Sequence, residues 1–273
     1  MQIAFSGKLG SGKSTVCKIL NEQYGYEIYS TGTIQRKVAE EMGITTLELN
    51  KRMREDPSLD HIIDDAVADL SRKRKGDKLI YDSRMAWHFA ENTFKVYMYV
   101  DPTVAAERVI SADRGNVEKY SSVEEAKEML IARSVEENSR FKDIYKVDNF
   151  NYNNYDLIID STSATPEMIA KAIVENADEF EKCAFEQTKV MLSPFVLFPT
   201  KPFGTNDGDN IVIALKNGVH FVVSGHSKLV ELQSANASLA TATLIEDDVM
   251  IDCDVISEYE AKSDFKYKTR PTE

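Results

Sequence analysis

Eight residues near the N-terminus carry the densest chemical signal in this chain: Gly7-Lys8-Leu9-Gly10-Ser11-Gly12-Lys13-Ser14. A glycine, four residues, then Gly-Lys-Ser is the spacing of a loop that wraps phosphate in successive backbone N–H groups. Lys13 would reach the β- and γ-phosphates of a nucleotide, and the Ser14 hydroxyl would ligate Mg²⁺. Gly10 and Gly12 allow the backbone to come close. Gly7, Gly10, Ser11, Gly12, Lys13, Ser14 and Thr15 are therefore the candidate ATP-binding set. Switch GTPases, motor ATPases and small-molecule kinases all use such a loop. An Asn-Lys-x-Asp base-reading motif is absent, and the remainder of the first two-thirds is compact and rich in spaced arginines. Arginines so spread suit a phosphoryl transferase, which must neutralise charge on two bound nucleotides.

The elements that must position these groups follow from patterning. "QIAFS" is an apolar run ending at the loop, and a helix is expected from Lys13 with Val16, Ile19 and Leu20 on one face. "YEIYS", "KLIYDS", "FKVYMYVD" and "YDLIID" read as four further strands, with polar helical segments from about 33 to 74. Pro102 is expected in the first turn of a helix, and Thr165-Pro166 as N-cap and first residue of another. Alternating strands and helices imply an α/β fold: a five-stranded parallel sheet with helices on both faces.

The character changes after about residue 187. Prolines at 194, 199 and 202 and a turn-rich stretch at 204–208 precede "NIVIAL", "VHFVVS" and "ATATLIE", three strand candidates with a short helix between the last two. Residues 1–186 and 187–273 are accordingly expected to be two domains, the second a smaller α+β module that folds by itself. Its tail is expected to fray or dock loosely.

The formal charge of −12 argues against nucleic acid and membrane surfaces as partners. Cys17, Cys183 and Cys253 are scattered singly and the four histidines are dispersed, so neither a disulfide framework nor a zinc cluster is expected. The chain is expected to open directly on a strand without a signal segment, and no apolar run of spanning length is seen in the sequence. A reducing cytoplasm is the expected compartment. Trp87 is expected in the core, His61 on the surface, and Arg72-Lys73-Arg74-Lys75 at a solvated helix end.

Several blocks in order resemble the cytidylate kinases, in particular the short archaeal branch of the nucleoside monophosphate kinases. They are "STGTIQRKVAEEMGITTLELNKRMREDPSLD", "IYDSRMAW", "YVDPTVAAERVISADRG" and "ARSVEENSRFKDIYKVDNFNYNNYDLIIDST", which with the loop cover roughly residues 1–180. The resemblance implies a Mg-ATP-dependent kinase with nucleotide substrates, CMP or dCMP as acceptor. It places Arg36 and Arg84 on the acceptor phosphate, a task suited to a planar guanidinium. It places Ser30, Thr31 and Gly32 around the acceptor pocket, with Asp148 near the sugar. Arg114, Arg133 and Arg140 become lid arginines over the transferring group. Asp82 becomes either an indirect Mg²⁺ ligand or a group orienting the acceptor oxygen. Tyr81-Asp82-Ser83-Arg84 stands where archaeal enzymes often carry Glu-Gly-Arg, and Thr33 where many carry an acid. Two other readings compete: a kinase for a different small acceptor, and a nucleotide-sensing regulator. Residues 187–273 resemble the fold shared by ParB-type partition proteins, sulfiredoxin and free-serine kinases. That resemblance implies an anion site at Gly225, His226, Ser227 and Lys228.

Overall fold

The computed structural model describes residues 1–44, 48–49, 52, 60–111, 120–263 and 265–271. Strand β1 (Gln2–Gly7) is buried along its whole length, as a central parallel strand covered on both faces must be. It pairs in parallel with β3 (Leu79–Asp82) and β4 (Thr93–Tyr99). Beyond them lie β2 (Glu27–Ser30) and β5 (Leu157–Asp160), also parallel. These are the five parallel strands expected from the sequence, in the order β2-β3-β1-β4-β5.

Helices cover both faces. Helix α1 (Lys13–Tyr24) and helix α7 (Pro166–Lys182) pack on one, where Val16, Leu20, Ile169 and Ile173 meet Ile3, Phe5, Val96 and Met98. The other face carries α2 (Thr31–Glu41), α3 (Asp60–Lys73) and the short α4 (Ala86–Phe89), with Trp87 in the core as expected. Helix α5 (Pro102–Ser111) starts at Pro102, and Asp101 Oδ1 accepts from the amides of Thr103 and Val104 at 2.8 and 3.1 Å. Helix α6 (Val123–Tyr145) packs beside it and opens with Ser122 Oγ accepting from Glu125 N. Thr165 caps α7 with Pro166 in its first turn, as the sequence predicts.

The segments 1–186 and 187–273 do not form separate sheets. Strand β6 (Lys189–Leu192) adds parallel to β5, and β10 (Ala240–Ile245) pairs antiparallel to β6. From there β8 (Ile211–Lys216), β9 (Val219–Ser224) and β7 (Leu197–Pro199) complete one ten-stranded sheet, β2-β3-β1-β4-β5-β6-β10-β8-β9-β7. The β8–β9 hairpin turns through Asn217 and Gly218, both at positive φ (52° and 76°), the conformation a two-residue hairpin favours. Val196, Val222, Leu229 and Tyr259 from the second segment join the same apolar cluster as Tyr97, Tyr99 and Tyr152.

The tail, expected to dock loosely, follows helix α9 (Cys253–Lys262) and is tied to the first segment. Tyr267 stacks on Phe198 at 4.3 Å between ring centroids and donates to Leu197 O at 2.9 Å. Thr269 Oγ1 donates to Asp101 Oδ1 at 3.0 Å, and Lys268 pairs with Glu107 at 2.6 Å. Composition conceals this docking because its partners are 70–168 positions away in the chain.

Helix α8 (His226–Ser234) shows how the second segment is locked. Gly225 precedes it at φ 89°, and a Cβ there would lie 2.4 Å from Asn210 O. The anion at this helix start is the chain's own Asp207. Its Oδ1 accepts from Gly225 N and His226 N at 3.0 and 2.8 Å, and its Oδ2 meets His226 Nδ1 at 2.8 Å. Lys201 Nζ lies 2.9 Å from the same oxygen, and Thr200 N donates to His226 Nε2 at 3.1 Å. Against the effect of burial, bonds from Lys201 and His226 hold the Asp207 carboxyl well below the usual carboxylate range. Lys228 turns to Glu231. The anion site expected at Gly225–Lys228 is thus filled from within.

Replacing Asp207 by alanine strips two amides, a buried imidazole and Lys201 of their partner. We expect a loss of about 2–4 kcal/mol in urea unfolding. A loss below about 0.5 kcal/mol would show that the carboxylate is not what holds α8.

Candidate active site

The phosphate loop owes its path to side chains it lacks. A Cβ on Gly7 would lie 2.5 Å from Met98 O, so only glycine lets the loop backbone settle on β4, where Lys8 N donates to Met98 O at 2.9 Å. A Cβ on Gly10 would lie 2.9 Å from Ala105, which seats the loop against α5. Gly12 caps α1 in the left-handed region (φ 85°) with no side-chain cap bond. The first amides of α1 therefore remain for an anion. Ser161 Oγ donates to Ser11 O at 2.8 Å, and Arg108 Nη2 in turn holds Ser161 O at 2.7 Å. Ser14 and Thr15 are exposed beside the turn. The arrangement fits a nucleotide phosphate, and the Ser14 hydroxyl is free to meet a divalent ion that keeps most of its water.

Lys13 pairs with Asp82. Burial pulls the Lys13 ammonium down to about 8, with Arg84 pushing the same way. Contact with the Asp82 carboxylate opposes both and favours the charged form. Asp82 sits where it does because β2 and β3 end together, Ser30 registering with it, while β1 runs on from Phe5 opposite it to Gly7 at the start of the loop. The carboxyl edge of a parallel sheet is where such folds bind ligands.

Arg84 follows two residues after Asp82. Its Nη1 donates to Gly7 O at 3.4 Å and meets Glu137 Oε2 of α6 at 3.3 Å. Glu137 Oε1 lies 3.2 Å from Arg133 Nε. Arg133, Glu137 and Arg140 recur at helical spacing, so α6 presents them as one stripe. Arg140 is exposed, its guanidinium 5.7 Å from the Phe141 ring. Ser30 caps α2, accepting from Thr33 N at 3.2 Å, and Thr31 and Gly32 form the first turn. Arg36 is exposed in α2 and donates to Thr33 Oγ1 at 3.1 Å. Asp148 accepts from Asn138 Nδ2 and Phe150 N, both at 2.9 Å, and pairs with Lys142 at 2.8 Å. Its carboxylate anchors the turn that sets Asn149 under Trp87 Nε1, 2.6 Å away. Arg114 lies outside the described residues.

The structure thus gathers Lys13, Asp82, Arg84 and Arg133, and adds Glu137, which the sequence reading passed over. Glutamates are frequent on exposed helices, and only its spacing between two arginines could have singled it out. Arg108 and Asp160 were also missed. Asp160 is fully buried at the end of β5. Its Oδ1 accepts from Thr162 N and Oγ1 at 2.8 and 2.6 Å, and its Oδ2 from Ser193 N at 2.9 Å. Burial pushes its carboxyl up to about 6, against these bonds and nearby Lys8.

A phosphate loop at the carboxyl edge of five parallel strands, with Arg84 reaching it from beyond β3, is the arrangement of a P-loop kinase fold. The family model described as the Cytidylate kinase-like family matches residues 2–163, and the chain belongs to that family. The cytidylate kinase of Natronomonas pharaonis is 37% identical over 179 residues, 65% of this chain and 88% of that protein. That of Methanocella arvoryzae is 32% identical over 182 residues, covering 67% and 99%. A protein of Lacinutrix mariniflava, an S-adenosylmethionine-dependent nucleotide dehydratase, is 34% identical over 177 residues, covering 64% of this chain but 35% of that protein. Among solved structures, shikimate kinase from Bacteroides thetaiotaomicron is 14% identical with a TM-score of 0.43, covering 67% of this chain and 98% of that one. The chain is a nucleoside monophosphate kinase. No helix among the described residues is long and apolar enough to cross a membrane.

Asp160 makes stability depend on pH in a stated direction. Its carboxyl is raised from 3.8 to about 6 on folding, so the folded chain binds the proton more tightly than the unfolded one. Its contribution is most favourable below pH 4 and is lost as pH rises through 6. The stability of the wild type minus that of Asp160→Asn, from urea unfolding, should fall by about 2–3 kcal/mol between pH 4 and 7. A difference that stays flat would mean that folding leaves the affinity of Asp160 for its proton unchanged.

Proposed function

We propose that the chain transfers the γ-phosphoryl group of ATP to CMP or dCMP, with residues 1–186 carrying the chemistry. One observation carries this reading: Arg84, at the acceptor side, reaches the carbonyl of Gly7 in the donor loop. A cation spanning both sides can bring two phosphates together, which is the main work in this reaction.

The loop amides and Lys13 hold the β- and γ-phosphates. Ser14, with Asp82 behind it, holds Mg²⁺, which supplies charge neutralisation on the phosphate oxygens. Arg84 and Arg36 grip the acceptor phosphate by paired N–H donors. To reach Arg84 the acceptor must compete with Glu137, a carboxylate already placed between Arg84 and Arg133. Once displaced, Glu137 can accept from a sugar hydroxyl, and Arg133 and Arg140 of α6 close on the transferring group. Ser30, Thr31 and Gly32 border the pocket at the start of α2, and Asp148 shapes its far end through the turn it anchors. The acceptor phosphate is already ionised, so no strong general base is needed. Closure of α6 excludes water, which would otherwise take the phosphoryl group.

The test is ATP consumption by the full chain with each common nucleoside monophosphate. CMP or dCMP should give the highest kcat/KM, and a higher value for AMP, GMP or UMP would overturn the assignment. Lys13→Ala should lower kcat by about 100-fold or more without loss of fold, because the residue serves charged phosphates and not the core. Arg84→Ala should cost about 10- to 100-fold in acceptor kcat/KM, the worth of a charged hydrogen bond, with ATP affinity nearly unchanged. Steady-state kinetics with each substrate varied in turn would read both.

A further inference from the structure

The second segment closes a cavity against the donor loop. Its volume is about 510 Å³, within the usual range for a small-molecule site. Lys8 and Tyr99 form one wall, Lys127 of α6 another, and Phe198 and Arg270 come from the second segment. The family match ends at residue 163, so more than a third of the residues lining this cavity lie outside it. It lies behind α6, away from the Arg84–Glu137 contact described above.

The lining has a definite chemical character. The lining is rich in aromatic residues: Phe150 is half-buried, and behind it Tyr97, Tyr99, Tyr152 and Phe198 are 5% exposed or less. Lys8 Nζ sits 3.9 Å from the centre of the Tyr99 ring and makes no contact ion pair among the described residues. Burial pulls its ammonium down to about 8, against Asp160 and Asp101. Lys127 likewise has no ion pair among the described residues. The acid in the wall is Asp101, whose Oδ1 is taken up by Thr103 N, Val104 N and Thr269 Oγ1. Arg270 at the wall is paired with Glu260. Lys8 and Lys127 therefore line the space with Asp101 as the one acid of the lining, and neither lysine is in contact with it.

We propose that this cavity is a second ligand site, separate from the two nucleotide sites, for an aromatic anion: a flat ring bearing a phosphate or carboxylate. The ring lies against Phe150, the half-buried aromatic of the lining, and the anionic group lies between Lys8 and Lys127. Its occupant would touch Lys8 of the donor loop and the back of the helix that carries Arg133 and Glu137, both of which frame phosphoryl transfer.

The experiment is calorimetry on the full chain, with CMP and a non-hydrolysable ATP analogue with Mg²⁺ kept saturating. The probes are 1-naphthyl phosphate, 1-naphthoate, 1-naphthol and inorganic phosphate. One equivalent of 1-naphthyl phosphate or 1-naphthoate should bind, and the tighter of the two identifies the anionic group. Naphthol and inorganic phosphate should each bind at least about 10-fold more weakly, since each lacks half of the recognised chemistry. Lys127→Met, a change at a half-buried position outside the apolar core, should weaken the anion about 10-fold. Ser134→Trp, which fills the space from α6, should abolish binding. No heat from either anion, naphthol binding as tightly as both, or unchanged affinity in the two variants would overturn the proposal. The readout is binding and not turnover, so its failure would leave the kinase reading standing.

Discussion

The donor loop rests directly on the backbone of β4 and on α5, at two positions where any side chain would collide. Met98 O stands 2.5 Å from where a Gly7 Cβ would be, and Ala105 stands 2.9 Å from that of Gly10. Everything else in the site is referred to this contact. It fixes the direction in which the α1 amides point, the distance from Lys13 to Asp82, and the reach of Arg84 to the loop. The support is itself braced, since Arg108 and Ser161 hold the Ser11 carbonyl from the end of β5.

The chain answers its concentrated positive charge with its own carboxylates, in two different ways. Asp82 on Lys13 and Glu137 between Arg84 and Arg133 are single, partly exposed contacts that a phosphate can replace. Asp207 at the start of α8 is met by two amides, an imidazole and an ammonium at once. The two amides and the imidazole have no solvent to return to, because Gly225 and His226 are buried, whereas the Lys201 ammonium is exposed. The first kind of carboxylate suits a site that exchanges ligands, and the second suits a permanent joint. The difference lies in how many buried donors would be orphaned.

The joint between the two segments runs through Asp160. Its carboxylate binds Thr162 on the side of the donor loop and Ser193 just after β6. Because β6 pairs with β5, the second segment extends the kinase sheet and brings its hairpin and tail to Lys8. A composition break near residue 187 is therefore compatible with one continuous sheet: turn chemistry marks where the chain changes character, while hydrogen-bonded edges decide where a sheet ends.

Local signals made much of this protein legible from its residues. The Gly-rich loop, the five alternating strands, Pro102 and Thr165-Pro166 at helix starts, and Trp87 in the core all follow from spacing, capping or apolarity. These are short-range properties, and the sequence states them outright. Other features depend on partners far along the chain. Three-residue β7 ends on Pro199, and β6 runs straight into Ser193-Pro194, so neither stands out as a bounded strand within the proline-rich stretch. Glu137 reads as one more surface acid until α6 lies across Arg84. The Gly225-His226 turn reads as an anion site until Asp207, eighteen residues earlier, folds onto it. Asp160 is an ordinary strand-end carboxylate until burial and the Ser193 amide act on it. In each case the sequence supplied the group, and only tertiary packing chose its partner, because charge pairing and desolvation are decided by what lies within a few ångströms in space.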